Sequence, residues 1–143
     1  MIAVDTNLLI YAHRSQTPEH AAAREALERA AADPGGWGIP LPCIAEFWAV
    51  VTHPKATGRP STPEEAAGFL RALIQGGGAS VWEPLPGFNS RLLLAAEQTG
   101  VSGARVFDLQ IALIASEAGA AQIWSHDRNF LLVPGLKLHD PIG

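Results

Sequence analysis

The chain opens Met1-Ile2-Ala3-Val4-Asp5-Thr6-Asn7-Leu8-Leu9. Ile2 to Val4 is a short apolar run that stops at an acid, the pattern of a buried strand ending in a polar turn. Thr6 and Asn7 are helix-capping residue types, and the residues after them predict a helix from about Leu8 to His13. A short strand followed at once by a helix is the opening unit of an α/β fold.

The same alternation continues along the chain. Trp37–Leu41, Ser80–Trp82 and Gln122–Trp124 are further strand candidates, with Leu136–Leu138 as a last edge strand. Helices are expected from Pro18-Glu19 to about Ala32, from Pro42 to His53-Pro54, over Phe88–Thr99 and over Arg105–Ala118. Thr62-Pro63-Glu64-Glu65 carries a full start signal: a cap, a proline in the first turn and a glutamate three residues after the cap. That helix is expected to run to about Gln75, where Gly76-Gly77-Gly78 stops it. Asp127 to Leu131 is expected as a short helical turn. Short apolar strands alternating with helices predict an α/β fold whose sheet is mainly parallel and covered on both faces.

The chain has 143 residues, one domain at ~150 residues per domain, so residues 1–143 are expected to share one core. Apolar residues make up 48% and charged residues 17%, which excludes a disordered chain. Ten basic side chains against fourteen acidic give a net charge of −4. That argues against a broad basic surface gripping nucleic acid by charge alone. The one cysteine, Cys43, excludes a disulfide framework and a cysteine-rich zinc site. No apolar run approaches the ~18 residues of a membrane span, and the start lacks a basic leader. A cytoplasmic protein without membrane contact is expected.

Four acids stand where a core or a strand end is expected. Asp5 follows the first strand directly and Asp127 follows the fourth after two residues, so parallel strands aim both at one sheet edge. Glu46 lies among Ile44, Ala45, Phe47 and Trp48. Asp108 shares a helical face with Ile111, Ala112 and Ala115. Taken singly, each acid is explained as a cap, a helix-dipole partner or a partly exposed helix residue. Taken together, two at strand ends and two in apolar helices, they point to a shared site, because buried carboxylates must be paired, protonated or metal-bound. Carboxylates without cysteine or a histidine pair select hard cations, Mg²⁺ or Mn²⁺, and such sites suit phosphate chemistry. The four acids equal the whole net charge of −4.

These segments identify a resemblance. Ala3-Val4-Asp5-Thr6-Asn7-Leu8-Leu9, Ala45-Glu46-Phe47, Val106-Phe107-Asp108-Leu109-Gln110-Ile111-Ala112, Ser125-His126-Asp127-Arg128-Asn129-Phe130 and Val133-Pro134-Gly135-Leu136 stand in order over nearly the whole chain. Together they resemble the PIN-domain ribonucleases, specifically the VapC toxins of bacterial toxin–antitoxin pairs. The resemblance implies a three-layer α/β/α sandwich and metal-dependent hydrolysis of RNA phosphodiesters. It places catalytic and metal-holding roles on Asp5, Glu46, Asp108 and Asp127, with Thr6 as an auxiliary hydroxyl. It also implies a homodimer, a blocking antitoxin and an RNA substrate, transfer RNA being a common target type. Many relatives carry an acid where this chain has Asn129, which places Asn129 at the edge of the site and predicts weaker binding of a second ion.

The basic residues expected to meet RNA are Arg14, Lys55, Arg59, Arg105 and Arg128. Arg105 and Arg128 flank the acids, with ion pairing to those acids as the alternative. Lys55 and Arg59 sit in a Gly/Pro-bounded loop, with a solvated loop as the alternative. Two other functions compete. An aspartate-nucleophile phosphatase would need an acid at position 7, where this chain has Asn7. A non-catalytic PIN-like module that binds RNA or protein has no use for four acids.

Overall fold

Five strands form one sheet in the computed structural model, which describes all residues from Met1 to Gly143. They are β1 (Ile2–Val4), β2 (Trp37–Pro40), β3 (Ser80–Trp82), β4 (Gln122–Trp124) and β5 (Lys137–His139). Their spatial order is β3-β2-β1-β4-β5, and every pairing is parallel. The helices are α1 (Thr6–His13), α2 (His20–Ala31), α3 (Leu41–Val51), α4 (Pro63–Arg71), α5 (Phe88–Thr99) and α6 (Arg105–Glu117). Parallel strands need crossovers, and right-handed crossovers place helices on both faces, which makes the α/β/α sandwich. α1 packs on α2 and α3, α3 packs on α4, and α5 packs on α6.

Parallel strands buried on both faces explain the unbroken apolar runs. Ala3, Val4, Ile39 and Ile123 are fully enclosed, together with Leu8, Leu9, Phe47 and Ile111 from the helices around them. Gly38 in β2 answers a packing demand. A Cβ there would lie 2.5 Å from the ring of Trp82 on β3.

Several boundaries differ from the sequence expectation. Asp5, not Thr6 or Asn7, caps α1; its Oδ1 accepts from Thr6 N at 2.8 Å. Pro18 and Glu19 lie in the turn before α2, which begins at His20. The Thr62 capping box is present, and α4 continues into a π-helical turn over Ala72–Gly76. Asp127 to Leu131, expected as a short helical turn, holds a single turn in which Phe130 N donates to Asp127 O at 3.2 Å, and no helix. There Asp127 Oδ1 accepts from Asn129 N at 2.9 Å, an Asx-type bond that competes with helix formation. β5 runs one residue later than expected, over Lys137–His139.

Candidate active site

The sheet order sets the site. The chain leaves β1 toward β2 and returns to β4 on the other side, so a crevice opens at the carboxyl ends of β1 and β4, where α/β folds bind ligands. Val4 pairs with Trp124, so Asp5 and Ser125 leave the sheet side by side. Asp5 N donates to Trp124 O at 3.0 Å. Asp5 is buried, with only 7% of the residue exposed. Thr6 N donates to one oxygen, and Ser125 Oγ donates to the other at 2.7 Å.

The other acids reach this edge from three elements. Glu46 projects from the middle of α3 and is half-buried, with Thr6 Oγ1 donating to its Oε1 at 2.7 Å. Asp108 sits in the first turn of α6, also half-buried. Asp127 is exposed just beyond β4, where its own N–H donates to Ser125 Oγ at 3.1 Å.

The acids act on one another through their charges. Burial pushes the Asp5 carboxyl up to about 6; the bonds from Ser125 and Thr6 oppose this, and the charges of Asp108 and Glu46 add to it. Burial also raises Asp108, with Asp127 and Glu46 adding; the Leu131 N–H and the Arg105 guanidinium act against the rise. No three of these side chains stand at ligating distance around one point. Charge coupling has a longer reach than coordination.

The donor set fits a hard divalent cation. It is all oxygen, and none of the four acids forms an ion pair; the ion pairs are Arg59–Glu65, Arg91–Glu117 and His126–Asp140. Cys43 lies below Thr6, and burial, with the Asp5 charge adding, holds its thiol well above its ordinary pKa. It is therefore a packing residue, not a thiolate ligand.

The expected basic residues scatter. Arg105 is exposed and donates to Asn129 O at 2.8 Å, and Arg128 donates to Gly143 O at 3.2 Å. Neither forms a salt bridge to the acids. Lys55 is exposed in its loop. Arg59 is exposed and holds Glu65 through two bonds of 3.1 and 3.0 Å. Arg14 departs from the expectation: it is 7% exposed, and its guanidinium donates to the carbonyls of Val51 and Thr57. Its charge is directed inward, tying the end of α3 to the following loop. Asn129 lies beside Asp127, with its N–H bonded to that acid.

Two residues that sequence reading passed over complete the edge. Ser125 is fully buried and joins three groups: it donates to Asp5 and accepts from Asn7 Nδ2 at 3.1 Å and from Asp127 N. Asn7 Oδ1 accepts from His126 N at 3.2 Å. The usable signal was positional, since Ser125 follows β4 as Asp5 follows β1. Asn7, with both amide groups engaged, offers no acid to a phosphatase mechanism.

None of the four cavities in the molecule is lined by any of the four acids.

The chain is similar to known proteins in both sequence and fold. The PIN domain family description matches residues 2–136. Ribonuclease VapC43 of Mycobacterium tuberculosis is 32% identical over 142 residues, covering 99% of this chain and 96% of that protein. Among solved structures, the fold is similar to Mycobacterium tuberculosis VapC20, a sarcin-ricin loop cleaving toxin. The TM-score is 0.68 at 12% identity, with 91% and 92% of the two chains covered. It is also similar to a chain of VapBC2 from Rickettsia felis bound to a DNA fragment from their promoter. There the TM-score is 0.61 at 21% identity, with 97% and 98% covered.

Proposed function

This chain belongs to the PIN-domain family, and from that premise we propose that it is a VapC-type endoribonuclease, the toxin of a toxin–antitoxin pair, hydrolysing RNA at the Asp5–Glu46–Asp108–Asp127 edge with Mg²⁺ or Mn²⁺. The observation that carries the reading is the convergence of four chain-distant acids on the β1–β4 crevice, close enough to perturb one another's protons. A divalent ion, when bound, supplies the Lewis acidity that offsets phosphate charge and lowers the pKa of a water.

The chain's own residues supply position. Asp5 and Asp108 provide the inner carboxylates, and Ser125 and the Thr6 N–H fix the Asp5 oxygens. Thr6 Oγ1 steers Glu46. Glu46 and Asp127 complete the oxygen set and orient the attacking water for in-line displacement, leaving 5′-phosphate and 3′-hydroxyl ends. Arg105 and Arg128 meet phosphates flanking the cut, and Lys55 and Arg59 follow the backbone farther along. Arg14 has no part in this set.

The same reading extends to partners. All 143 residues act as one nuclease domain. A cognate antitoxin blocks the acid edge. Two copies pair through apolar side chains left at the surface, including Trp48, Leu93, Leu94 and Phe107. No helix is long and apolar enough to cross a membrane. The proposed site of action is the cytoplasm, and transfer RNA is the first substrate class to test.

Incubation of total RNA with the protein, followed by mapping of the new ends, tests the reading. Cleavage that depends on Mg²⁺ or Mn²⁺, stops in EDTA and stops in Asp5→Asn supports it. Cleavage by Asp5→Asn in EDTA at the parent rate would overturn it.

A further inference from the structure

Beside the acid edge stands a pair of rings that catalysis does not use. Tyr11 lies four residues, about one helical turn, after Asn7 on α1, about 6 Å along the axis. Its ring meets that of His126 edge to face, with centroids 6.0 Å apart and planes at 79°. His126 lies between Ser125 and Asp127, two members of the acid-edge network.

The pair is held firmly on its inner side. His126 N donates to Asn7 Oδ1 at 3.2 Å, and His126 Nδ1 bonds both Asp140 oxygens at 3.1 and 3.0 Å. Asp140 is itself fixed by Ile142 N at 3.1 Å. The Tyr11 carbonyl bonds His20 Nδ1 at 2.8 Å. The outer side is open. Tyr11 is half-buried, and the His126 side chain is 31% exposed. Tyr11 Oη and His126 Nε2 have no bonding partner within the chain, and no buried side-chain polar atom lacks one, so both atoms face solvent. A fixed aromatic surface with two free hydrogen-bonding atoms is what a flipped-out nucleobase requires: a face to stack on and atoms that can meet its edge. Rings already held in place lose little freedom on binding.

We propose that Tyr11 and His126 form a shelf that stacks an unpaired RNA base next to the scissile phosphate, with Asp140 as the positioning residue that sets the His126 ring. The inference rests on the ribonuclease reading above and adds to it a subsite for a base.

The test measures binding of a short oligouridylate and of an abasic ribose-phosphate polymer of equal length to the Asp5→Asn protein, by fluorescence anisotropy. Tyr11→Leu weakens oligouridylate binding about 5- to 150-fold, the range of one lost base–aromatic stack, and leaves the abasic polymer unaffected. Tyr11→Phe and His126→Phe, which keep the rings, retain most of the affinity. Asp140→Ala weakens oligouridylate binding, and Asp140→Asn, whose amide oxygen still accepts from Nδ1, restores it. Thermal unfolding of each variant confirms that it is folded. Equal losses on both polymers, or no loss on either, overturn the shelf. So does a Tyr11→Leu defect confined to antitoxin binding, which would make this a protein-docking surface. If the parent cuts RNA while Tyr11→Leu binds oligouridylate unchanged, only the shelf falls. If the parent neither binds nor cuts RNA, the nuclease reading falls with it.

Discussion

Ser125 Oγ donates a 2.7 Å hydrogen bond to Asp5 Oδ2 across 120 residues of chain. The two residues leave adjacent parallel strands at the same level, so the sheet register alone places the hydroxyl against the carboxylate. The bond restrains the least exposed of the four acids and favours its charged form against burial.

Ser125→Ala therefore leaves one Asp5 oxygen without its donor, and Asn7 and Asp127 N without their acceptor. We expect a loss of about 1–3 kcal/mol in urea unfolding. Metal affinity, read by Mn²⁺ titration, should fall about 10- to 100-fold, as for other groups that orient a ligand. Unchanged Mn²⁺ affinity would show that Ser125 is a packing residue only.

Asp5 also gives the metal-free protein a pH dependence. Its folded pKa of about 6 stands above the 3.8 of an ordinary aspartate, so the folded chain holds this proton more tightly than the unfolded one. The resulting destabilisation is absent below about pH 4, grows as the pH rises from 4 to 6 and is complete above 6. It amounts to about 3 kcal/mol at 1.36 kcal/mol per pKa unit. The raised Asp108 acts in the same direction. Urea unfolding in EDTA should thus show falling stability from pH 4 to pH 7, with a shallower slope in Asp5→Asn. Parallel slopes for the two proteins would contradict the assignment.

Thr6→Val keeps the shape of the side chain and removes the donor to Glu46 Oε1. The hydroxyl is nearly buried, so a stability loss of about 1 kcal/mol is expected. Cleavage should fall by a larger factor than Thr6→Ser, which keeps the hydroxyl. Equal activity of the two variants would remove Thr6 from the site.

Arg14→Ala tests the reassignment of that residue. The Val51 and Thr57 carbonyls lose a charged donor, and about 2 kcal/mol of stability goes with it. The salt dependence of RNA binding should keep its slope, because the guanidinium faces inward. A flatter slope would return Arg14 to the RNA-contacting set.

The legible features were those that depend on local pattern. Ile2–Val4, Ser80–Trp82 and Gln122–Trp124 are short apolar runs closed by turn chemistry, and each is a strand. The Thr62 capping box stood within four consecutive residues. The four acids stood out because carboxylates at strand ends or in apolar helices call for an explanation. The features that escaped depend on tertiary placement. The role of Ser125 follows from the pairing of β1 with β4, which no local pattern encodes. The inward turn of Arg14 follows from how α3 ends against α1. The turn at Asp127 stops at one backbone bond, where the Asp127 side chain takes the Asn129 N–H.

The most direct test of the account is thermal unfolding of the metal-free protein titrated with Mn²⁺, for the parent and for Asp5→Asn. An ion that binds only the folded acid edge stabilises the parent by about 2.7 kcal/mol at one hundred times its Kd. That shift is expected in the parent, with little of it in Asp5→Asn and with RNA cleavage appearing over the same Mn²⁺ range. No shift in the parent, together with cleavage that persists in EDTA, would contradict it.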